Sequence, residues 1–193
     1  MPKIVDHDRY RQELLSQCLT LFAERGFGAV TMREIAASLG VSTGTLYHYF
    51  PNKERIFVQL VETYCEKDVA EFFAQAPLIE PLENKLRRIT TFFLQRYSTY
   101  QRQFLIWIDF YQHSQRSQSS DWTVLQQSWQ RTQGQLVDYL QISPEQVDSL
   151  LIFLDGLLLQ CLYGRLEVNI TQQLEVFMQM LQQACRSDSP NQI

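Results

Sequence analysis

Apolar residues recur every three or four positions along most of the chain, the spacing of one buried helical face. Tyr10, Leu14, Cys18 and Phe22, widened by Leu15 and Leu19, predict a first helix over 8–25. Gly26 closes it, and Phe27 is expected to fold back on its last turn. Ile35, Ala36 and Leu39 predict a short second helix ended by Gly40, and Leu46 and Phe50 a short third ended by Pro51. Ile56, Phe57, Leu60, Val61, Tyr64, Val69, Phe72 and Phe73 predict a long fourth, capped by Asn52 and reaching Gln75. A fifth is expected over 82–100, a very apolar sixth over 104–113 and a seventh over 121–140, the last on Trp122, Leu125, Trp129, Leu136 and Leu140. Ser143-Pro144-Glu145-Gln146 reads as the start of an eighth, with a cap, a proline in the first turn and a reciprocal glutamine. Thr171 is expected to cap a ninth on Leu174, Phe177, Met178 and Leu181. No segment argues for a strand and none repeats, so the chain reads as all-α with nine helices.

The strongest local signals lie between residues 31 and 53. Thr31 with Glu34 three residues later, after apolar Val30, forms a capping box. Gly40 supplies a left-handed turn, and Ser42 caps the next helix. With Leu46 and Phe50 facing a core, Ser42, Thr43, Thr45, Tyr47, His48 and Tyr49 are left for other faces. Small hydroxyls followed by polar-tipped rings suit phosphates and base edges. Gly44 permits close approach of another backbone, and Lys53 stands where it can hold a further phosphate. This pattern is helix-turn-helix chemistry.

The run TMREIAASLGVSTGTLYHYFPNKERIF carries T-x-x-x-I-A, L-G-V-S, G-T-L-Y-x-Y-F and K-E in register. It resembles the DNA-binding signature of the tetracycline-repressor (TetR) family of bacterial transcription regulators over residues 8–60. The resemblance implies an N-terminal three-helix helix-turn-helix DNA-binding domain, 1–52, and a C-terminal helical effector-binding and dimerisation domain, 53–193. It implies a DNA-facing set of Thr31, Arg33, Ser42, Thr43, Gly44, Thr45, Tyr47, His48, Tyr49 and Lys53. Thr31, Tyr47 and Lys53 are expected on phosphates, and Arg33, Thr43, Thr45 and His48 at base edges. The implied protein is a ligand-responsive repressor that binds a palindromic double-stranded operator as a dimer.

Composition refines this picture. The 45% hydrophobic and 20% charged residues are those of a globular chain, and the low Gly and Pro totals of 7 and 6 favour helices. The net charge of −4 looks wrong for a DNA binder until it is divided. Residues 1–55 carry seven Lys/Arg against six Asp/Glu, and residues 56–193 ten against fifteen, so the acid lies away from the expected DNA face. The opening MPKIVDHDRY holds no apolar signal-peptide core, and no apolar run reaches membrane-span length. A cytoplasmic protein without a membrane partner is expected.

The last two helices are too apolar on all sides for a small bundle to cover, so a homodimer is expected through them. Aromatics crowd the fifth to seventh helices, so an aromatic or lipophilic effector is expected against Phe93, Tyr97, Phe104, Trp107, Tyr111, Trp129 and Asp155. Asp109 and Asp155, in apolar runs, each either recognise a cationic or hydroxylated ligand, lie exposed, cap a neighbouring helix or pair with an arginine such as Arg96 or Arg165; His113 is expected in solvent. Cys18, Cys65, Cys161 and Cys185 have no metal-ligand spacing and read as small hydrophobes. No metal, cofactor or catalytic motif is expected. The alternatives are a redox-responsive regulator with a cysteine switch and a helical interaction module that binds protein rather than DNA.

Overall fold

The computed structural model describes residues 6–77, 79–117, 123–162 and 169–187. Among them the chain is helical throughout, in the order α1 (His7–Arg25), α2 (Met32–Ser38), α3 (Thr43–Tyr49), α4 (Lys53–Gln75), α5 (Leu82–Ser117), α6 (Thr123–Leu140), α7 (Pro144–Leu162) and α8 (Ile170–Ser187).

Eight helices stand where nine were expected, because the fifth and sixth are one. α5 runs unbroken for 36 residues. Gln101, Arg102 and Gln103, read as a break, are good helix formers with no glycine, proline or cap among them. A second correction concerns α8. Its cap is Asn169, whose Oδ1 accepts from the Gln172 amide at 3.1 Å, and Thr171 lies inside the first turn. The start of α7 follows the reciprocal pattern: the Gln146 amide donates to Ser143 Oγ at 3.3 Å and the Ser143 amide to Gln146 Oε1 at 3.0 Å.

The chain divides into two compact units. Unit 1 holds residues up to Lys67 together with 102–127, and unit 2 holds 68–101 and 128–193. Within unit 1, α1, α2, α3, the first part of α4 and the second part of α5 close around Phe22, Phe27, Ile35, Leu46, Phe50, Ile56, Phe57 and Phe110, all essentially fully buried. Phe57 and Phe110 stack with centroids 3.9 Å apart. Gly26 takes φ 83°, which a side chain would strain, and its amide donates to Phe22 O at 2.9 Å. That turn delivers Phe27 against Phe22, Phe57 and Phe110.

Within unit 2, Leu86, Ile89 and Phe93 of α5 are buried, as are Tyr139 and Leu140 of α6, Leu150, Leu157 and Leu158 of α7, and Leu174, Met178 and Leu181 of α8. Phe153 and Phe177 stack at 4.0 Å. Glu80 accepts from Tyr139 Oη at 2.8 Å and from Arg88 at 3.1 Å, which holds its carboxyl below the usual range. Arg96 pairs with Asp68 and Glu71 and lies 4.3 Å over the Phe92 ring. Trp129, expected in the α6 stripe, is 45% exposed, three turns ahead of buried Leu140 on the same face. Trp122, Gly164 and Arg165 lie outside the described residues, as do the side chains of Leu125 and Cys161.

Candidate nucleic-acid interface

α3 is set by local caps at its start and by two distant residues at its end. Thr31 accepts from the Glu34 amide at 3.3 Å, while its own amide and hydroxyl donate to Glu34 Oε2 at 2.8 and 2.7 Å. These bonds hold the Glu34 carboxyl below its ordinary range, the Thr31 hydroxyl contributing most. Gly40, at φ 66°, turns the chain, and the Val41 amide reaches back to Ala36 O at 3.0 Å. Ser42 Oγ accepts from the Thr45 amide at 2.9 Å and bonds the Thr45 hydroxyl at 2.8 Å. At the far end, Arg11 Nη2 donates to Tyr49 O at 3.3 Å, where helix carbonyls lack partners. Leu46 and Phe50 are fully buried and anchor α3 from below.

Thr43, Gly44, Tyr47 and His48 are left as one exposed stripe, with Tyr47 51% exposed. Arg33 is exposed on α2. Ser42 and Thr45 spend their hydroxyls largely on each other and on the cap, and the Thr31 proton is committed to Glu34. For these three, touching a phosphate means sharing or releasing a local bond.

Tyr49 departs from the expected DNA-facing set. It is 8% exposed, edge-on to Tyr10 at 5.5 Å, and its hydroxyl is 2.7 Å from His7 Nδ1. The reason is register, since position 49 is three residues after Leu46 and beside Phe50, on the buried side. Lys53 is half-buried rather than free. Its Nζ donates to Phe27 O at 2.8 Å and lies 4.4 Å over the Phe27 ring, and desolvation pushes its pKa down. It fastens the turn after α1 and keeps two ammonium protons for other acceptors.

Sequence reasoning missed His7 and Arg11. Both contact α3 across about forty residues of chain, and no local pattern announces such a contact. Asp109 is explained as a backbone cap: its Oδ2 accepts from the Gly28 amide at 3.0 Å. His113 packs edge-on to Phe27 at 5.3 Å and stands 4.0 Å from Glu54, not in open solvent.

The seven residues expected around an effector fall in both units. Phe93 is buried and packs edge-on to Tyr97 at 6.0 Å, and the Tyr97 hydroxyl accepts from Gln101. Asp155 and Trp129 are exposed, as is Tyr111 at 53%. Tyr111 turns outward because α5 carries its core on Ile106 and Phe110. Phe104 and Trp107 are half-buried. Among the described residues, no three His, Cys, Asp or Glu side chains gather as metal ligands would. No described helix is long and apolar enough to cross a membrane. Cys18 is fully buried, and burial pushes its thiol up to about 12, which leaves it protonated and inert at neutral pH.

Residues 14–60 match the family model of bacterial regulatory proteins, tetR family. The HTH-type transcriptional repressor KstR2 of Mycolicibacterium smegmatis is 41% identical over 56 residues, 29% of this chain and 27% of that protein. The HTH-type transcriptional repressor AcnR of Corynebacterium diphtheriae is 33% identical over 76 residues, 39% of this chain and 40% of that protein. The matches thus span well under half of those relatives' length. A transcriptional regulator from Rhodococcus sp. Rha1 shares the fold, with TM-score 0.70 and 20% identity over 90% of this chain and 96% of that one.

Proposed function

We propose, from the match of residues 14–60 to the tetR family of bacterial regulatory proteins, that this chain belongs to that family and is a ligand-responsive transcriptional repressor acting in the cytoplasm. It binds a palindromic double-stranded operator as a dimer. The observation that carries this reading is the exposed stripe of α3, Thr43, Gly44, Tyr47 and His48, on a helix held at both ends. Thr43 and His48, with Arg33 from α2, are the candidates for base edges, and Tyr47 for phosphate. Lys53 adds a phosphate contact with the protons its bond to Phe27 leaves over.

The reading domain is 1–52 and the effector and dimerisation domain 53–193. Dimerisation runs through α7 and α8, where Ile152, Val176 and Met180 are 69%, 46% and 61% exposed. Such side chains on neighbouring helices favour a second copy of the same pair. The effector is aromatic or lipophilic, a reading that rests on the aromatic content of 53–193. Its binding shifts α4, which contributes to both units, and so changes the separation of the two reading helices.

Selection of genomic fragments with the purified protein, followed by anisotropy titration over a salt series, tests the reading. A selected palindrome bound with a steep salt slope is expected. Tyr47→Ala should weaken selected and random duplexes alike. A protein that retains no duplex above background at low salt would sink it.

A further inference from the structure

The first half of α5 has two faces. Leu86, Ile89 and Phe93 lie in the core of unit 2. Asn84, Arg88, Thr91 and Gln95 follow one another at helical spacing, and each stands two positions from one of those core residues, about 200° round the helix. This outer stripe lines a groove of about 350 Å³, completed by Phe72 of α4, by Glu80 ahead of α5 and by Phe92. Every residue of the groove belongs to unit 2. Small-molecule sites begin at about 300 Å³, so the space suits one or two rings with a short substituent.

The lining narrows the occupant. Phe72 and Phe92, edge-on at 5.3 Å, give the groove one apolar wall. The charged lining is two arginines against one glutamate. Glu80 takes Arg88 Nε at 3.1 Å and Nη2 at 3.4 Å, which leaves the positive charge of Arg87 over. Arg87 stands at the groove's edge with its side chain 67% exposed, and Glu83 engages only its Nη2, at 2.9 Å. An exposed pair four residues apart on a helix holds weakly, so a second carboxylate can compete with Glu83 for the guanidinium. A carboxylate can also take two parallel N–H groups of an arginine at once. A dianion would meet Glu80 and Glu83, and a cation would meet Arg87. We infer that this groove on the outer face of α5 binds a small aromatic monocarboxylate, its ring against Phe72 and Phe92 and its carboxylate on Arg87. Phe93 and Tyr97, expected around an effector, do not line it, so it is a further site. Its occupancy rests neither on the DNA reading nor on the effector reading.

Titration calorimetry of the full chain without DNA tests the site, with 2-naphthoate and its neutral counterpart 2-naphthamide as probes. Naphthoate should bind saturably, about fivefold to tenfold more tightly than the amide, because bonds to a charged acceptor are the stronger ones. Arg87→Met keeps a long unbranched side chain of similar helix propensity. It should erase that preference and leave the amide unchanged. Glu83→Gln removes the internal competitor and should tighten naphthoate about twofold, an effect that should vanish when Arg87→Met is also present. Thr91→Trp, at an exposed position, fills the groove and should abolish saturation while the helical circular-dichroism spectrum is preserved. Heat that never saturates, equal affinity for acid and amide, a preference that survives Arg87→Met, or saturation unchanged in Thr91→Trp would overturn the site. Naphthoate held anywhere else on the chain would show the last two results.

Discussion

α3 and α8 each keep one face in the core and one in the open, and their open faces differ in kind. On α3, Leu46 is fully buried while Thr43, Tyr47 and His48 lie outside, each with a polar tip. On α8, Leu174, Met178 and Leu181 are buried, yet Val176 and Met180 on the outer side are apolar too. Water tolerates the first arrangement at no cost and the second only at a penalty. A polar-tipped face suits a hydrated, charged partner, whose phosphates and base edges exchange hydrogen bonds for those of water. An apolar face suits a dry partner, and α7 also exposes Ile152. Two uncovered helices therefore point to two classes of neighbour.

The sharpest way to break this comparison is to put charge on the apolar face. Ile152→Glu should leave the fold intact, because that side chain is already 69% exposed. It should raise the dimer dissociation constant by about a hundredfold or more, as expected for an unpaired charge in an apolar interface. Light scattering across a dilution series reads it, and an unchanged mass would remove α7 from the interface. Next in size is Arg33→Ala, expected to cost about 1–3 kcal/mol of operator affinity and to relax discrimination at one base pair. A loss equal for every sequence would move Arg33 to the phosphates.

Smaller effects sharpen the account of how α3 is held. Thr31→Ala should destabilise the fold by about 1 kcal/mol, read by chemical denaturation at neutral pH. That difference depends on pH through Glu34, whose carboxyl is held low by Thr31. The folded chain binds this proton less tightly than the unfolded one. The stabilisation is therefore complete above the ordinary glutamate value of about 4.3 and fades as pH falls through the lowered folded value. The gap between native protein and Thr31→Ala should narrow below that range to what the Glu34 amide bond contributes, and parallel curves would contradict the capping box. Tyr49→Phe removes the bond to His7 at a cost of about 0.5–1.5 kcal/mol, with little change in DNA affinity if the ring belongs to the core.

The legible part of the fold was the part written in neighbours. Thr31 with Glu34, Ser42 with Thr45, Asn52 with Arg55 and Ser143 with Gln146 are three residues apart, and each pair bonds as its spacing implies. Tyr49 was misplaced although spacing could have found it, since it follows Leu46 by three; its polar tip drew the eye from its register. The continuity of α5 was missed because polar composition was read as a break where no residue stops a helix. Lys53 to Phe27, Arg11 to Tyr49 and Asp109 to Gly28 span 26, 38 and 81 residues, and no window of sequence contains them. The aromatic set divides between the two units, with Trp129 and Tyr111 exposed and Phe93 buried, since a count of rings says nothing of which face each ring takes.

The bond from Gly28 to Asp109 bears on anyone who would transplant the N-terminal helices. Residues 6–60 look like a portable cassette, yet Gly28 takes an acceptor, and Phe27 an edge-on ring neighbour, from a stretch of α5 some eighty positions on. A graft that omits α5 from Arg102 onward would carry the exposed stripe of α3 and leave behind the floor on which its first turn rests. A chimera built from this chain should therefore borrow two separate pieces of it.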